Sequence, residues 1–286
     1  MRIPATVVLT VASLTLVGCG HVRATGSQPS PVAVTAPPPL SSVAVTSTSD
    51  AAAGTSDTVA AAAPGSPEAD GRFSLVVFDR TTGQVVMSEN PTDHFPAESV
   101  VKLLIAVTAL QNGSDAGLVA TMLSVSDDDI ANTLWEQYGN IAIIERMAKV
   151  MDLPDIVVPD DPGWWGNTQI TADDVVEIYR YILDRAPAPL RDTIMKALAS
   201  TTRTAADDFY QYYGIVDATE GHDWAVKQGW ACCKPDRVLH STGVIGDDHR
   251  YIIAALSAHD GPSTTWDQVG GELTDTIRQA EAKLHR

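Results

Sequence analysis

The sequence predicts an α+β fold: an antiparallel five-stranded sheet flanked by helices, with an all-helical lobe beside it. Three observations carry that prediction. Residues 72–78 and 84–87 are β-rich runs joined by Asp79-Arg80-Thr81-Thr82-Gly83, a hairpin with a Gly-bearing loop. Residues 115–218 repeat apolar side chains at helical spacing and contain no evident strand. Beyond Gly221, strand-like runs at 224–229, 238–245 and 250–257 precede a helical pattern over residues 266–284. Hairpin-linked strands pair antiparallel, and a helical block with no strand inside it must form a second layer or lobe.

The chain begins with material that is not part of this fold. Met1-Arg2-Ile3-Pro4 supplies one positive charge, and residues 7–17 are an apolar run too short to span a bilayer as a mature helix. The run ends in Leu16-Val17-Gly18-Cys19, which resembles the bacterial lipobox. That resemblance implies that residues 1–18 are a signal peptide and that Cys19 is acylated, anchoring the mature protein to the outside of the cell membrane. Residues 19–70 contain no Phe, Tyr or Trp and are dominated by Ser, Thr, Pro and Ala, so they cannot bury enough surface to fold. As a flexible chain this tether would hold the folded part about 40 Å from its anchor. Residues 71–286 are then one domain, within ordinary single-domain size.

After the first hairpin comes the stretch that bears the chemistry. Phe95-Pro96-Ala97-Glu98-Ser99-Val100-Val101-Lys102 leads into an almost wholly apolar run to Leu110, closed by Gln111-Asn112-Gly113. A helix apolar on every side is a buried one. Ser99 and Lys102, three residues apart, project from one face within reach of each other. A serine hydroxyl is a weak nucleophile until a neighbour takes its proton, and burial lowers a lysine's pKa toward that use. Free backbone N–H groups at the start of the helix favour negative charge developing on a bound acyl group. One Ser-x-x-Lys is expected by chance in a chain of this length, so the motif needs its context.

Within the helical block, residues 130–138, 141–151, 171–182 and 189–198 hold the periodicity, with Thr171 and Asp173 as start signals. The formal charge of −17 becomes −18 once residues 1–18, whose only charge is Arg2, are removed. Such acidity excludes nucleic acid as a partner and suits a soluble extracytoplasmic surface. Besides Cys19 the cysteines are Cys232 and Cys233, adjacent in sequence, where a disulfide needs an unusual peptide geometry. They lack zinc-site spacing to each other or to His222 and His240, so no metal is expected, and the chemistry sketched here uses no cofactor.

Two further stretches supply the context. Ser126-Asp127-Asp128 is similar to the Ser-Asp-Asn segment of class A β-lactamases and penicillin-binding proteins, and Lys227-Gln228-Gly229 to their Lys-Thr-Gly strand; with Ser99-x-x-Lys102 they occur in the family's order. The resemblance covers residues 72–286. Val226-Lys227-Gln228-Gly229-Trp230, Cys232-Cys233 and Ser241-Thr242-Gly243-Val244-Ile245-Gly246 further resemble the LppW type of actinobacterial envelope lipoprotein. Carried over, the family's roles make Ser99 the acylated nucleophile, Lys102 its base, Ser126 a proton shuttle and Lys227 the anchor for a substrate carboxylate. Asp128, Gln228, Gly229 and Trp230 would line the substrate site, with the Ser99 and Trp230 N–H groups as the oxyanion hole.

The departures matter equally. Asp128 stands where the family has Asn, replacing a donor to a substrate carbonyl by an acceptor. Gln228 stands where it has Thr. Ser126 follows Ser99 by fewer residues than in the lactamases, which implies a more open site. Residues 153–168 contain no Glu to direct a deacylating water, although Trp164 and Trp165 could stack on sugar or peptide. Two readings therefore stay open: a slow or penicillin-binding-type serine hydrolase or acyltransferase acting on peptidoglycan peptides or β-lactams, and a catalytically impaired lipoprotein that binds a ligand or a protein.

Overall fold

The computed structural model describes residues 61–62, 71–219, 223–234 and 236–284, so the expected signal peptide, Cys19 and nearly all of the expected tether lie outside the described residues. Five antiparallel strands form the sheet, as the sequence predicts: β2 (Gly71–Asp79), β3 (Gln84–Glu89), β6 (Trp224–Ala231), β7 (Asp236–Ile245) and β8 (Tyr251–Asp260). Their spatial order is β3-β2-β8-β7-β6, with every neighbouring pair antiparallel. A two-residue strand, β1 (Ala61–Ala62), adds to the β3 edge in parallel.

Alternation along the strands sends side chains to two cores. Phe73, Leu75 and Val77 of β2 face one core with Ile253 and Ala255 of β8; Val76 and Phe78 face the other with Ile252, Ala254 and Leu256. The first core is covered by α7 (Ile215–Ala218) and the closing helix α8 (Trp266–Leu284). The second is the larger and belongs to the helical lobe: α1 (Lys102–Gln111), α2 (Ala116–Ser124), α3 (Asp128–Gln137), α4 (Ile141–Met151), α5 (Ala172–Arg180) and α6 (Ala188–Ala199). Helix α1 is buried from Lys102 to Ala109, which is why its sequence is apolar on every side.

Three details differ from the expectation. A short antiparallel pair, β4 (Phe95–Pro96) with β5 (Gln169–Ile170), lies partly inside the block predicted to be strand-free, because two residues are too few to leave a periodic signal. Residues 200–214 are irregular rather than helical. Ser99 sits in a 3₁₀ turn, Glu98–Val101, that precedes the α-helix proper. Elsewhere the start signals hold: Thr171 caps α5 in a capping box completed by Asp174, and Asp127 caps α3 by accepting from the Ile130 N–H at 2.9 Å.

Candidate active site

The 3₁₀ turn that carries Ser99 is pinned from both sides. His240 of β7, wholly buried, accepts the Ser257 N–H on Nδ1 at 3.2 Å, so Nε2 carries the proton and donates to the Pro96 carbonyl at 2.8 Å. Burial holds that imidazole neutral, with its pKa down to about 4. Gly229 of β6 passes directly beneath the turn. A Cβ there would stand 3.2 Å from both the Ala97 carbonyl oxygen and Val100 Cγ2, so a side chain at this position would crowd the turn.

Four of the predicted residues meet at one point. Lys102 Nζ lies 2.9 Å from Ser99 Oγ, 2.8 Å from the Ser126 carbonyl oxygen and 3.2 Å from Ser126 Oγ. Lys227 Nζ reaches the same Ser126 Oγ at 2.9 Å and the Gln228 carbonyl at 2.9 Å. Ser126 adopts a left-handed φ of 55°, which turns it back toward both lysines before Asp127 opens α3. Both lysine side chains are buried, at 0% and 1% exposure, which disfavours charge on either. Burial lowers the Lys102 pKa, against the opposing pull of Asp128. Burial and the neighbouring charge of Lys102 lower that of Lys227 much further. Two ammonium groups sharing one hydroxyl oxygen repel, so the cluster disfavours charge on both lysines at once.

Asp128 occupies the expected position and does something the sequence does not reveal: its Oδ1 accepts from Lys102 Nζ at 2.5 Å, although the Asp128 side chain itself is mostly exposed. Trp165 places its ring over the same ammonium, 4.9 Å from Nζ to the centroid, and its indole N–H donates to Asn132 Oδ1 at 2.8 Å. Ser99, Ser126, Asp128 and Trp165 thus surround Lys102, and the loop face of the site is closed by an aromatic ring. Trp164, the other half of the pair, is 64% exposed and lines a 540 Å³ cavity with Glu98, the neighbour of Ser99, and with Asn167 and Gln169.

One expectation is corrected. Gln228 does not face the cleft: adjacent residues of a strand point to opposite faces, so with Lys227 turned toward the helical lobe Gln228 turns toward α7. It is fully buried there, and its amide donates to the carbonyls of Gln211 at 3.0 Å and Tyr213 at 2.9 Å. It fastens the 211–213 segment to the sheet and is not available to a substrate. Trp230 starts on that same face, although its ring still lies 5.7 Å from Lys227 Nζ. Its ring stacks on Phe209 at 4.6 Å and its N–H donates to Asp207 at 3.0 Å, so only its backbone is a candidate for the oxyanion hole. Cys232 and Cys233 form a vicinal disulfide at the end of β6, with Cys232 on the rim of the 540 Å³ cavity. A larger cavity of 670 Å³, lined by Tyr210, Tyr212, Trp266 and the flank of α8, lies away from Ser99.

Glu98 is the residue that sequence reasoning passes over. It precedes Ser99 and lies in the same 3₁₀ turn, but an acid in a first helical turn is so ordinary that nothing in the sequence marks it.

No family model matches the chain. The lipoprotein name LppW is borne by relatives from Mycobacterium tuberculosis and Mycobacterium bovis that are 35% identical over 206 residues, an alignment covering 68% of this chain and 65% of theirs. The chain therefore spans about two thirds of the length of those relatives. Among solved structures, a class A β-lactamase from Mycobacterium abscessus superposes with a TM-score of 0.64 at 18% identity, covering 76% of this chain and 95% of that one. PBP-A superposes at 0.63 and 15% identity over 76% and 91%, and a β-lactamase from Chitinophaga pinensis at 0.64 and 13% over 76% and 95%. At such identities these likenesses establish the fold, which is β-lactamase-like.

Proposed function

Because this chain is a β-lactamase-like relative of the LppW lipoproteins, we propose that it is a cell-envelope serine hydrolase or acyltransferase, anchored to the membrane through acylated Cys19, that accepts acyl groups from peptidoglycan peptides or β-lactams onto Ser99. The observation that carries the reading is the hydrogen bond between Lys102 Nζ and Ser99 Oγ at 2.9 Å inside a buried two-lysine cluster. A neutral amine there takes the hydroxyl proton as Oγ attacks the acyl carbon. The N–H groups of Ser99 and Trp230 stabilise the oxyanion. Ser126, hydrogen-bonded to both lysines, returns a proton to the leaving group, and Lys227 offers positive charge to a substrate carboxylate whenever it is protonated.

Turnover by this site is slow. Its loop lacks a Glu, the Trp165 ring covers Lys102, and Asp128 holds that lysine toward its charged form, which cannot accept a proton. The Asp128 ion pair equally favours a second reading, a lipoprotein that keeps the fold for binding and no longer acylates. The two separate in one measurement, the intact mass of the folded protein after exposure to a penicillin or a fluorophosphonate. An adduct on Ser99 that disappears in Lys102→Ala, with the domain still folded, is the expected result. A folded wild-type protein that gains no mass with either probe removes the enzyme reading and leaves the binding one.

A further inference from the structure

We propose that Glu98 is the base that directs hydrolytic water onto the acyl group of Ser99, a role that rests on the acyl-enzyme reading above. Glu98 is bonded through the chain to the nucleophile and has a left-handed φ of 47°, a conformation residues with a Cβ rarely adopt. Its carboxyl reaches the loop side of the site. Oε2 lies 3.0 Å from where a Cβ on Gly166 would stand, so the missing side chain of Gly166 is the space the carboxyl occupies. Gly166 follows Trp165, whose ring covers Lys102, so the carboxyl lies against the same loop that reaches the lysine.

The surroundings suit a base and supply no structural occupation. Glu98 lines the 540 Å³ cavity with the amide side chains Asn167 and Gln169, which is roomy and polar enough to hold water. Among the described residues no hydrogen bond or ion pair ties its carboxyl down. The charged groups around it are Asp128 of α3, Lys102 of α1, Lys234 of the β6–β7 turn and Asp236 at the start of β7; Trp164, Asn167 and Gln169 bring no charge from the loop. Burial first, and then the charge of Asp128, push the carboxyl up to about 8, with Lys102 opposing. A base poised near neutral pH is the effective kind.

The step balances without another reagent. Water oxygen bonds to the acyl carbon while one of its protons passes to the Glu98 carboxylate. The tetrahedral oxyanion collapses, the bond from carbon to Ser99 Oγ breaks, and Oγ recovers its proton from Lys102. The product acid leaves, and Glu98 and Lys102 exchange protons with solvent back to their starting states.

The test follows the acyl-enzyme by intact mass from pH 6 to 9 in the wild type, Glu98→Gln and Glu98→Asp. Wild-type deacylation should quicken with pH around 8. Glu98→Gln, which keeps the shape of a protonated carboxyl, should still accumulate adduct but hold it on the order of 10²-fold longer, with a flat pH profile. Glu98→Asp should keep the pH-dependent rise at a reduced rate. An adduct on Glu98→Gln that decays like the wild type, with the same pH profile, overturns the role of Glu98 and leaves Ser99 acylation standing. A wild type that forms no adduct overturns the acyl-enzyme reading and this proposal with it.

Discussion

Asp128 is the residue on which the reactivity of the site turns. An oxygen 2.5 Å from Lys102 Nζ stabilises the ammonium, while burial of Nζ opposes it, and the two effects compete over one proton. A charge-assisted hydrogen bond to a buried lysine is worth about 1.5–3 kcal/mol, and about 1.4 kcal/mol is one pKa unit. Asp128→Asn removes the counter-charge and restores an amide donor to the cleft. It should therefore lower the Lys102 pKa and speed acylation of Ser99 by roughly tenfold or more, with the rise confined to pH values below the wild-type Lys102 pKa. Acylation rates against pH decide it, and an unchanged rate would mean that the ion pair has no hold on the base.

At the scale of elements, the site depends on how β6 threads between the 3₁₀ turn on one side and the 211–213 segment on the other. Gly229 sets the first distance and Gln228 the second. Gln228→Leu keeps the volume but leaves the Gln211 and Tyr213 carbonyls without donors in a buried position, each at about 1–3 kcal/mol. The expected result is a drop in melting temperature while the folded fraction still forms the Ser99 adduct, because Gln228 lies on the opposite face of β6 from Lys227. Adduct loss with unchanged stability would return Gln228 to the substrate site. The 3₁₀ turn itself is held by His240 donating to Pro96, so the nucleophile rides on a sheet-anchored hydrogen bond rather than on the end of α1 alone.

For the whole molecule, the proposed acylation of Cys19 and the expected tether would set where the site works. Fractionation of Cys19→Ser away from membranes, with the wild type retained, is expected; equal retention would place the anchor elsewhere. Deleting residues 20–60 should leave the melting temperature within about 2 °C of the full chain, since an aromatic-free polar tract buries little. That deletion spares β1, whose two residues extend the β3 edge. Among the described residues no helix is long and apolar enough to cross a membrane.

Local rules reach a long way in this chain. Periods of 2 and 3.6 reveal the five strands, α4 and the closing helix, and the three-residue spacing of Ser99 and Lys102 already places one side chain beside the other. The expectation that Ser126 and Lys227 join Ser99 and Lys102 at one cleft rests on the resemblance of their motifs, in order, to those of the β-lactamases and penicillin-binding proteins, not on periodicity. What only the tertiary structure decided involves partners far apart in sequence. Asp128 meets Lys102 across 26 residues, the Trp165 ring covers the same lysine from the loop, and Glu98 fills the space left by Gly166. The face on which Gln228 lies was decided in the same way: alternation says that it opposes Lys227, but only the packing of β6 against α7 and the helical lobe says which face is the cleft. Propensity and periodicity act over a few residues, whereas the ionisation of a buried carboxyl or amine answers to whatever the fold brings against it.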